Sequence, residues 1–456
     1  MENFEQIIKK QRDFFQQGKS KDVSFRIAAL KKLQHLIRSN EKDLMAALKA
    51  DLNKSEFDTY LTEIGIVLEE INFTLKHLQK WTKPKRVRST LATFGSKGYI
   101  YPEPYGVVLI ISPWNYPFQL AIAPLIGAIA AGNCAIVKPS ELTPNTSAIL
   151  NKLLSENFSD DYIKVIEGGI ETSNSLLKEK FDYIFFTGSV NVGKIIMEAA
   201  AKNLTPVTLE LGGKSPCIVH EDANVKLAAK RIAWGKFINA GQTCVAPDYI
   251  YVHHRIKDEF LQALKKAIHD LYGKNVESTG RFTKIVSERH FNRLTSFIKQ
   301  EKTIIGGGFD PQSLIIEPTV LDQISWDDDV MQEEIFGPIL PIIEYAQLEE
   351  MISAINNHPK PLALYIFSES VEVQQLILQN ISFGGGCIND TVYHLSSPYL
   401  PFGGVGDSGM GAYHGEGSFN VFSHKKSILK QTTLFDLPFR YPTTKNALKK
   451  VKMFLK

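Results

Sequence analysis

Short, largely apolar runs alternate with stretches of helical periodicity between residues 105 and 210. Four such runs lie at residues 106–111, 134–137, 163–166 and 183–186. A continuous apolar run is typical of a parallel strand buried on both faces, and repeated strand–helix–strand units favour a twisted sheet with right-handed crossovers. Residues 212–400 repeat the pattern, with strands expected at 217–219 and 249–252. The sequence therefore predicts an α/β fold with two α/β domains.

The segments that flank this region have other patterns. Residues 1–80 carry apolar positions at spacings near three and four among Lys, Glu and Gln, which is typical of amphipathic helices. Two basic, β-prone stretches at 86–104 and 421–433 are expected to pair with each other or to form an edge between subunits. The last residues, 445–456, form a basic amphipathic segment. A solvated terminal helix and weak attachment to an anionic membrane surface are its two interpretations.

Composition excludes several classes of protein. The net charge of +3 over 456 residues is too small for a typical nucleic-acid-binding protein. The four cysteines lie far apart and form no CxxC pair. We therefore expect neither a disulfide framework nor a zinc module, but a reducing, cytosolic setting. The adjacent His253 and His254 are not expected to bind a metal, because neighbouring strand residues point to opposite faces.

One apolar run raises the question of a membrane span. Residues 118–137 reach the ~20 residues that a span requires, yet Pro124, Gly132 and Asn133 interrupt them. A buried helix leading into a strand is the favoured interpretation. Residues 1–5 lack the basic region and the apolar core of a signal peptide.

A thiol in a small-residue turn and a carboxylate beside a flexible Gly-Gly pair are the first candidates for chemistry. Cys244 ends the run Gly-Gln-Thr-Cys, and Glu210 begins the run Glu-Leu-Gly-Gly-Lys. A thiol nucleophile needs a nearby base, and a thioester intermediate needs an activated water to clear it. Cys134 and Cys217 lie in apolar runs and are expected to be inert core thiols. Cys387 has no candidate base in its local sequence.

Turns at the ends of predicted strands are candidates for phosphate and ribose binding. Residues 187–193 place glycines and hydroxyls between a strand and a helix, where backbone N–H groups and the helix dipole favour a pyrophosphate. The spacing is not GxGxxG, so an ordinary capped turn is the alternative. Lys138 and Glu141 follow another strand and would hydrogen-bond ribose hydroxyls, unless they form only an exposed ion pair. Parallel strands would bring both turns to one edge of the sheet.

Further positions have the chemistry of an oxyanion site and of a substrate pocket. The amide of Asn115, between two prolines, is a candidate oxyanion donor, and a hydrogen bond within its own turn is the alternative. Glu334 and Phe336 would hold a ribose and pack on a flat cofactor ring, but a helix end before a Gly-Pro breaker explains them equally well. Tyr116 and Trp234 would line an apolar funnel or pack in the core.

Seven short motifs occur in one order along the chain. They are Pro-Trp-Asn at 113–115, Lys-Pro-Ser-Glu at 138–141, Phe-Thr-Gly-Ser at 186–189, Glu-Leu-Gly-Gly-Lys at 210–214, Gly-Gln-Thr-Cys at 241–244, Glu-Ile-Phe-Gly-Pro at 334–338 and Pro-Phe-Gly-Gly at 401–404. Each motif is weak alone, but the ordered set spans nearly the whole chain and resembles the aldehyde dehydrogenase superfamily. The short N-terminus and the runs at 244–249 and 402–411 resemble its class 3 branch.

The resemblance implies a role for each motif. Cys244 would attack the aldehyde to give a thiohemiacetal, and Asn115 with the Cys244 N–H would hold its alkoxide. After hydride transfer to a nicotinamide, Glu210 would activate the water that cleaves the thioester. The residues implied in cofactor binding are Ser112, Trp114, Lys138, Glu141, Thr187, Gly188, Ser189, Gly193, Leu211, Glu334 and Phe336. Tyr116 and Trp234 are the implied substrate contacts, and no metal is implied.

The family's architecture comprises a Rossmann-like cofactor domain, a second α/β catalytic domain and a small β oligomerisation arm. The implied divisions are residues 1–85 and 105–210 for the NAD(P)-binding domain, 211–400 for the catalytic domain, 86–104 and 418–435 for the arm, and 436–456 for a basic C-terminal tail. A cytoplasmic homodimer without stable membrane insertion is the expected assembly.

The resemblance also implies the reaction. Class 3 relatives oxidise medium- and long-chain aliphatic or aromatic aldehydes, so we expect such a substrate. Glu141 should repel a 2′-phosphate and favour NAD, although a flexible Glu would admit NADP. Two other functions stay open: a cysteine-dependent esterase or hydrolase without redox chemistry, and a catalytically silent binding protein. The esterase leaves the cofactor turns unexplained, and the intact Cys244, Glu210 and Asn115 argue against the silent protein.

Overall fold

The structure, a computed structural model, describes residues 3–273, 276, 280 and 282–454. The first two residues of the predicted 1–85 segment and the last two of the predicted 436–456 tail lie outside this set. The helices are α1 (Phe4–Gln16), α2 (Val23–Ser39), α3 (Glu41–Leu52), α4 (Glu56–Thr59), α5 (Gly65–Trp81), α6 (Gln119–Ala131), α7 (Pro144–Ser155), α8 (Ile170–Leu176), α9 (Val190–Ala201), α10 (Val225–Phe237), α11 (Lys257–Tyr272), α12 (Glu288–Ser296), α13 (Leu348–Asn356), α14 (Val371–Asn380), α15 (Glu416–Val421) and α16 (Ala447–Phe454).

In the described part of the chain, the strands belong to three larger sheets and one small hairpin. They are β1 (Lys85–Val87), β2 (Ser96–Pro104), β3 (Val107–Ile111), β4 (Cys134–Lys138), β5 (Ile163–Val165), β6 (Tyr183–Thr187), β7 (Val207–Glu210), β8 (Pro216–Val219), β9 (Tyr249–His253), β10 (Thr303–Ile305), β11 (Phe309–Asp310), β12 (Ile315–Ile316), β13 (Thr319–Leu321), β14 (Ile339–Tyr345), β15 (Ala363–Phe367), β16 (Gly385–Ile388), β17 (Gly409–Met410) and β18 (Ser423–Gln431). The predicted α/β fold is confirmed.

The first large sheet has the order β17-β7-β6-β3-β4-β5. Its strands are parallel except for β17, which pairs antiparallel with β7. The chain builds β4 and β5 on one side of β3 and then returns to add β6 and β7 on the other. The order therefore reverses between β3 and β6. In open α/β sheets, ligands bind outside the carboxyl ends of the strands at such a reversal.

The apolar run at 118–137 is a buried helix followed by a strand, as predicted. All thirteen residues of α6 are buried, and β4 follows directly. Gly132 ends α6 with φ 98°, and a Cβ at this position would lie 2.7 Å from the Arg26 guanidinium. Among the described residues, no helix is long and apolar enough to cross a membrane.

The N-terminal helices α1 to α5 confirm the helical pattern predicted for residues 1–80, and they attach to the first sheet by polar contacts. Gln11 donates to the carbonyl oxygen of Ala135 in β4, at 3.2 Å. Arg12 forms a 2.8 Å ion pair with Asp182, whose carboxylate also accepts the Val107 N–H at the start of β3. These contacts fix α1 across the amino ends of three neighbouring strands.

The second large sheet has the order β10-β13-β14-β9-β8-β15-β16 and is parallel except at β10. The strands predicted at 217–219 and 249–252 are confirmed as β8 and β9. Residues 211–215 connect the end of β7 to the start of β8. The chain later returns to the first sheet, where Gly409 in β17 pairs with Glu210.

The two basic stretches predicted to pair do so. β18 pairs antiparallel with β2 from Ser423 opposite Pro104 to Gln431 opposite Ser96, and β1 covers the other side of β2. This three-stranded sheet, which we call the arm, leaves β18 at its edge. Most of β18 is exposed.

Candidate active site

Two turns, one from each large sheet, meet at the centre of the candidate site. The Asn115 side-chain amide follows β3 and donates to the carbonyl oxygen of Gln242 at 3.1 Å. In return, the Asn239 amide donates to the Asn115 carbonyl oxygen at 2.9 Å. The hydroxyls of Tyr116 and Thr243 lie 2.6 Å apart. Asn115 therefore reaches across to the turn that carries Cys244 instead of bonding within its own turn.

The turn before Cys244 has a strained backbone. Asn239, Ala240 and Gly241 all have positive φ angles, 53°, 52° and 71°. A left-handed conformation costs an ordinary residue about 1–2 kcal/mol. A Cβ on Gly241 would lie 2.2 Å from the Gly337 carbonyl oxygen, so only glycine fits there. Strain of this kind persists only where its surroundings enforce it, and it clusters at functional sites.

The buried side chain of Gln242 enforces this turn. Its amide nitrogen donates to the carbonyl oxygens of Asn239 and Lys284, at 3.1 and 3.0 Å. Its amide oxygen accepts the Val286 N–H at 3.0 Å. The turn is thus tied to itself and to the segment before α12.

Cys244 is the partly exposed thiol at the end of this turn. Burial raises its pKa to about 12, and the carboxylates of Glu334 and Glu210 add to the rise, while the N–H groups of Cys244 and Val245 oppose it. The sulfur is therefore protonated at neutral pH until a base removes the proton. Its electrostatic coupling to Glu210 and Glu334 means that both carboxyl groups lie near the thiol.

The other three thiols have different surroundings. Cys134 and Cys217 have no exposed surface and lie in the core, as predicted. For Cys387 the prediction is wrong, because its Sγ lies 3.5 Å from the Nδ1 of His394, a base only seven residues away. Burial lowers the His394 pKa to about 4 and raises that of Cys387, so both groups are neutral at pH 7.

Glu210 is a buried carboxyl group. It ends β7, its side chain is 2% exposed, and neither carboxyl oxygen has a hydrogen-bond partner among the described residues. Burial raises its pKa well above the usual value. A carboxylate with a raised pKa is a stronger proton acceptor once ionised. Buried polar atoms without a partner are rare in proteins and point to a site that takes a ligand or water.

Glu334 lies against the Gly-Gly pair that follows Glu210. A Cβ on Gly212 would lie 2.0 Å from a Glu334 carboxyl oxygen, so glycine is required for this approach. Burial, followed by the charge of Asp248, raises the Glu334 pKa to about 8, and the N–H of Gly213 opposes the rise. The preceding 3₁₀ turn ends at Met331, so Glu334 does not end a helix and that alternative is wrong.

An aromatic contact and an ion pair hold the loop that carries Glu334. Phe336 has φ 51° and meets the ring of Trp114 edge-on, with centroids 5.3 Å apart. The Lys214 ammonium lies 2.7 Å from Asp248, which also accepts the Ile335 N–H at 3.0 Å. The loop that carries Glu334 and Phe336 is thereby held against the β7–β8 connection.

The carboxyl edge of the first sheet carries two hydroxyls without partners. Ser112 follows β3 and Thr187 ends β6, so both lie at the reversal of strand order. Both hydroxyl oxygens are buried, and neither has a hydrogen-bond partner among the described residues. A polar ligand that reaches this edge would satisfy them. These two atoms are the observation that fits a bound dinucleotide.

The turn after β6 is packed closely. Ser189 caps α9 by accepting the Val192 N–H at 3.5 Å. A Cβ on Gly188 would lie 2.5 Å from the Phe186 ring, and one on Gly193 would lie 2.7 Å from Leu211. The capped turn offered as an alternative is thus present, and it leaves the start of α9 open to an anion.

Lys138 and Glu141 form the ion pair that was the alternative to ribose binding. Lys138 Nζ lies 3.0 Å from a Glu141 carboxyl oxygen. The pair is not simply exposed, because the Lys138 side chain is 4% exposed and that of Glu141 is 42% exposed. The lysine therefore holds the glutamate at the rim, with one face of the carboxylate in solvent.

The two predicted substrate residues lie in different surroundings. Tyr116 contacts Thr243 directly before Cys244, so it belongs to the central turn pair. Trp234 on α10 packs on Tyr393, with ring centroids 5.4 Å apart. Tyr393 is 56% exposed and follows Val392, a branched residue with φ 63°.

The reason given against a histidine metal site is wrong, although the residues offer no cluster. His254 leaves the strand and starts a 3₁₀ turn, and its ring lies 4.5 Å from that of His253. In the part of the chain that the structure describes, no three His, Cys, Asp or Glu side chains form a group that could hold a metal ion.

Two residues that contact the central turns were missed by the sequence analysis. Lys54 donates to the Asn115 carbonyl oxygen, and Glu63 accepts backbone N–H groups at the end of the same turn. Both lie in a stretch with the pattern of a surface helix, where a Lys and a Glu are ordinary solvent-facing residues. No signal in the single sequence separates them from their charged neighbours.

Comparison with known proteins gives matches over the full chain. The profile described as "Aldehyde dehydrogenase family" matches residues 1–428. A 4,4'-diaponeurosporen-aldehyde dehydrogenase of Staphylococcus aureus is 52% identical, with complete coverage of both chains. A dimeric NADP-preferring aldehyde dehydrogenase of Mus musculus is 47% identical over 94% of this chain and 95% of its own.

Another relative and a solved structure extend the match. An aldehyde dehydrogenase family 3 member A2 of Rattus norvegicus is 46% identical over 93% of this chain and 88% of its own. The solved structure of a Staphylococcus aureus AldH in its substrate-bound state superposes with a TM-score of 0.98, at 51% identity and with full coverage of both chains.

The charge of Glu334 should control the reactivity of Cys244. Glu334→Gln removes a negative charge that raises the thiol pKa, so we expect alkylation of Cys244 by iodoacetamide at pH 9 to become about three- to tenfold faster. Below pH 7 the gain should fade, because Glu334, with a pKa of about 8, is then already protonated. Mass spectrometry of the Cys244 peptide over time gives the rate.

Glu333→Gln is the matched control, because this neighbour is 56% exposed and pairs with Arg293 instead. It should leave the alkylation rate unchanged. An unchanged or slower rate in Glu334→Gln at pH 9 would contradict the assigned electrostatics.

Proposed function

We propose how the candidate site works on the premise that the chain belongs to the aldehyde dehydrogenase family, as its full-length matches show. The predicted family is confirmed, and the protein catalyses NAD(P)-dependent oxidation of an aldehyde. The comparisons give no support to the esterase alternative. The proposal concerns which residues do the chemistry, on which aldehyde, and in which assembly.

Cys244 is the proposed nucleophile. The observation that carries this assignment is its place. Cys244 is a partly exposed thiol at the end of a strained turn, the charge of the buried Glu210 raises its pKa, and the Asn115 amide bonds to the carbonyl two residues before it. Its sulfur bonds to the carbonyl carbon of the aldehyde, and the thiol proton leaves to a carboxylate or water. The product is a thiohemiacetal whose oxygen carries the developing charge.

Asn115 is the proposed oxyanion donor. Its Nδ2 now donates to the Gln242 carbonyl, two residues from Cys244, and the amide group has a second N–H to offer. A donor aimed at a developing oxyanion contributes roughly 3–4 kcal/mol to transition-state stabilisation. The Cys244 N–H is the second proposed donor.

Glu210 is the proposed base for the second half of the reaction. Once the carbon has been oxidised, the acyl group is held on Cys244 as a thioester. Glu210 accepts a proton from a water molecule, the hydroxide oxygen bonds to the acyl carbon, and the thiolate leaves. The dry surroundings that raise the Glu210 pKa make it an effective proton acceptor for this step.

The residues at the carboxyl edge of the first sheet fit the dinucleotide. The unpartnered hydroxyls of Ser112 and Thr187 would bind it, and the open start of α9 behind Ser189 suits its phosphates. Glu334 and Phe336 would orient the nicotinamide riboside, and Trp114 packs against the Phe336 ring. The bound nicotinamide supplies the acceptor for the hydride.

NAD is the proposed preferred cofactor. The Glu141 carboxylate, held at the rim by Lys138, would accept a hydrogen bond from a ribose hydroxyl and repel a 2′-phosphate. The name of the mouse relative states the opposite preference for that protein. We expect kcat/KM to be higher for NAD than for NADP, and a clear NADP preference would contradict this role of Glu141.

A medium- or long-chain aliphatic or an aromatic aldehyde is the proposed substrate. Tyr116 beside Thr243 and the Trp234–Tyr393 pair supply aromatic surface in the region of Cys244 and α10. The name of the Staphylococcus aureus relative states 4,4'-diaponeurosporen-aldehyde for that protein. A series of aldehydes of increasing chain length, followed by formation of the reduced cofactor, should show kcat/KM rising with length, and a preference for short chains would contradict the proposal.

A homodimer built through the arm is the proposed assembly. Among the described residues β18 is an open edge strand of nine residues, with Ile428 and Leu429 43% and 57% exposed. An open edge with apolar side chains favours pairing with another chain. Light scattering should give a mass twice that of one chain, and Leu429→Asp should shift the measured mass toward that of a single chain. A monomeric parent protein would contradict the proposal.

The cytoplasm is the proposed compartment. The four cysteines of the structure are free thiols, which suits a reducing environment. Fractionation of cells that express the chain tests this, and recovery outside the cytoplasm would contradict it.

Glu210→Gln should separate the two halves of the reaction. Gln cannot accept a proton, so we expect a rapid burst of about one reduced cofactor per active site, followed by turnover at least about a hundredfold slower. Cys244→Ala should give no burst. Stopped-flow absorbance of the reduced cofactor measures both.

Glu70→Gln is the matched control, because Glu70 is also a buried carboxyl with a pKa raised by burial, but it bonds to Gly415 outside the site. It should keep its steady-state rate. A Glu210→Gln variant that loses the burst itself would contradict the assignment of Glu210 to the second half.

A further inference from the structure

Lys54 and Glu63 form an ion pair inside the protein, with side chains 1% and 0% exposed. We propose that this pair positions Asn115, and so tunes the stabilisation of the thiohemiacetal oxygen without contacting it. The inference rests on the oxyanion role proposed for Asn115. Lys54 and Glu63 are positioning residues in this account, because the contacts that the structure gives them lead to the turn and not to the reacting atoms.

Lys54 fixes the backbone of Asn115. Its Nζ donates to the Asn115 carbonyl oxygen at 3.1 Å, and the same oxygen accepts the Asn239 amide from the other turn. The ammonium also lies 4.1 Å from the centroid of the Tyr116 ring. Two donors thus hold the Asn115 carbonyl, while the Asn115 Nδ2 donates to the Gln242 carbonyl.

Glu63 fixes the other end of the same turn. One carboxyl oxygen pairs with Lys54, and the other accepts the N–H groups of Phe118 and Gln119, both at 3.0 Å. These N–H groups lie at the start of α6, where helix geometry leaves them without partners in the helix and where a negative charge is favourable. The pair thus spans the turn from Asn115 to α6.

The backbone that presents Glu63 is unusual. Residues Tyr60–Ile64 form a π-helical segment between α4 and α5. Such segments are rare and are frequently found at functional sites. Gly65 follows directly, and a Cβ there would lie 2.8 Å from the Tyr60 carbonyl oxygen. Lys54 in turn follows Asn53, which has φ 58°.

Stability alone does not account for this arrangement. Moving two charges out of water is costly, and apolar residues of similar volume often stabilise a core as well or better. Burial lowers the pKa of Lys54, which is the signature of this desolvation. Every polar side-chain atom of the pair nevertheless bonds to the partner or to residues 115–119. The desolvation cost of the buried ion pair therefore arises at the turn that holds the candidate oxyanion donor.

A double-mutant cycle with Asn115 tests the inference. The double variant Lys54→Met/Glu63→Gln removes both charges at once and leaves no unpaired buried ion. We expect kcat to fall about tenfold, because small misplacements of a catalytic group have effects of this order or larger. KM for the aldehyde and for the cofactor should change less than about twofold. In an Asn115→Ala background, the same double substitution should lower kcat less than about twofold further.

Two further variants give the controls. Arg26→Met removes a buried cation at the opposite end of α6, where Arg26 donates to the Ala130 carbonyl at 3.1 Å. It should lower the Tm while kcat stays unchanged. Lys54→Arg keeps a cation that can donate to the Asn115 carbonyl, so kcat should stay within about threefold of the parent. If the double variant does not fold, Glu63→Gln alone enters the cycle with the same expectation of non-additivity.

The outcomes distinguish the positioning role of the ion pair from the oxyanion role of Asn115. Equal losses of kcat in the parent and in the Asn115→Ala background would mean that the ion pair acts independently of Asn115, and this would overturn the inference while the proposed function stands. An Asn115→Ala variant with unchanged kcat would overturn the oxyanion role and the positioning role together.

Discussion

The site depends on the hydrogen bonds between the turn after β3 and the turn before Cys244. The Asn115 amide donates to the Gln242 carbonyl, the Asn239 amide donates to the Asn115 carbonyl, and the Tyr116 and Thr243 hydroxyls meet beside them. The first turn comes from one sheet and the second leads into the other. Because each turn carries one partner of the proposed chemistry, their contact fixes the distance between oxyanion donor and nucleophile. The contact between the turns also holds residues 239–241 in their strained, left-handed backbone conformation.

Burial of ionisable groups gives the site its electrostatic character. Glu210, Glu334 and Cys244 all have raised pKa values, with burial as the first cause in each. Carboxyl and thiol groups with raised pKa values contribute little to stability but are effective partners for moving protons. The buried hydroxyls of Ser112 and Thr187 lie at the cofactor edge, and neither has a hydrogen-bond partner among the described residues.

The sequence predicts the features that depend on local pattern or on short motifs. Apolar runs locate β3, β4, β6 and β9 because strands buried on both faces cannot hide polar residues. Contacts that depend on how the chain turns in space are not predicted by such patterns. The Lys54–Glu63 pair and the Asn115–Gln242 bond join residues whose separation along the chain carries no periodic signal. The His394 partner of Cys387 was missed because the turn that returns it is set by backbone conformation and not by residue type.

The central claim is that the carbon of the aldehyde passes through a covalent bond to Cys244. The most direct measurement is peptide mass spectrometry of the Glu210→Gln protein, quenched in acid soon after mixing with aldehyde and NAD. The account predicts an acyl group on the peptide that contains Cys244, removed by hydroxylamine as a thioester would be. An acyl group on Cys387 beside His394, or none on Cys244 while the reduced cofactor forms, would contradict it.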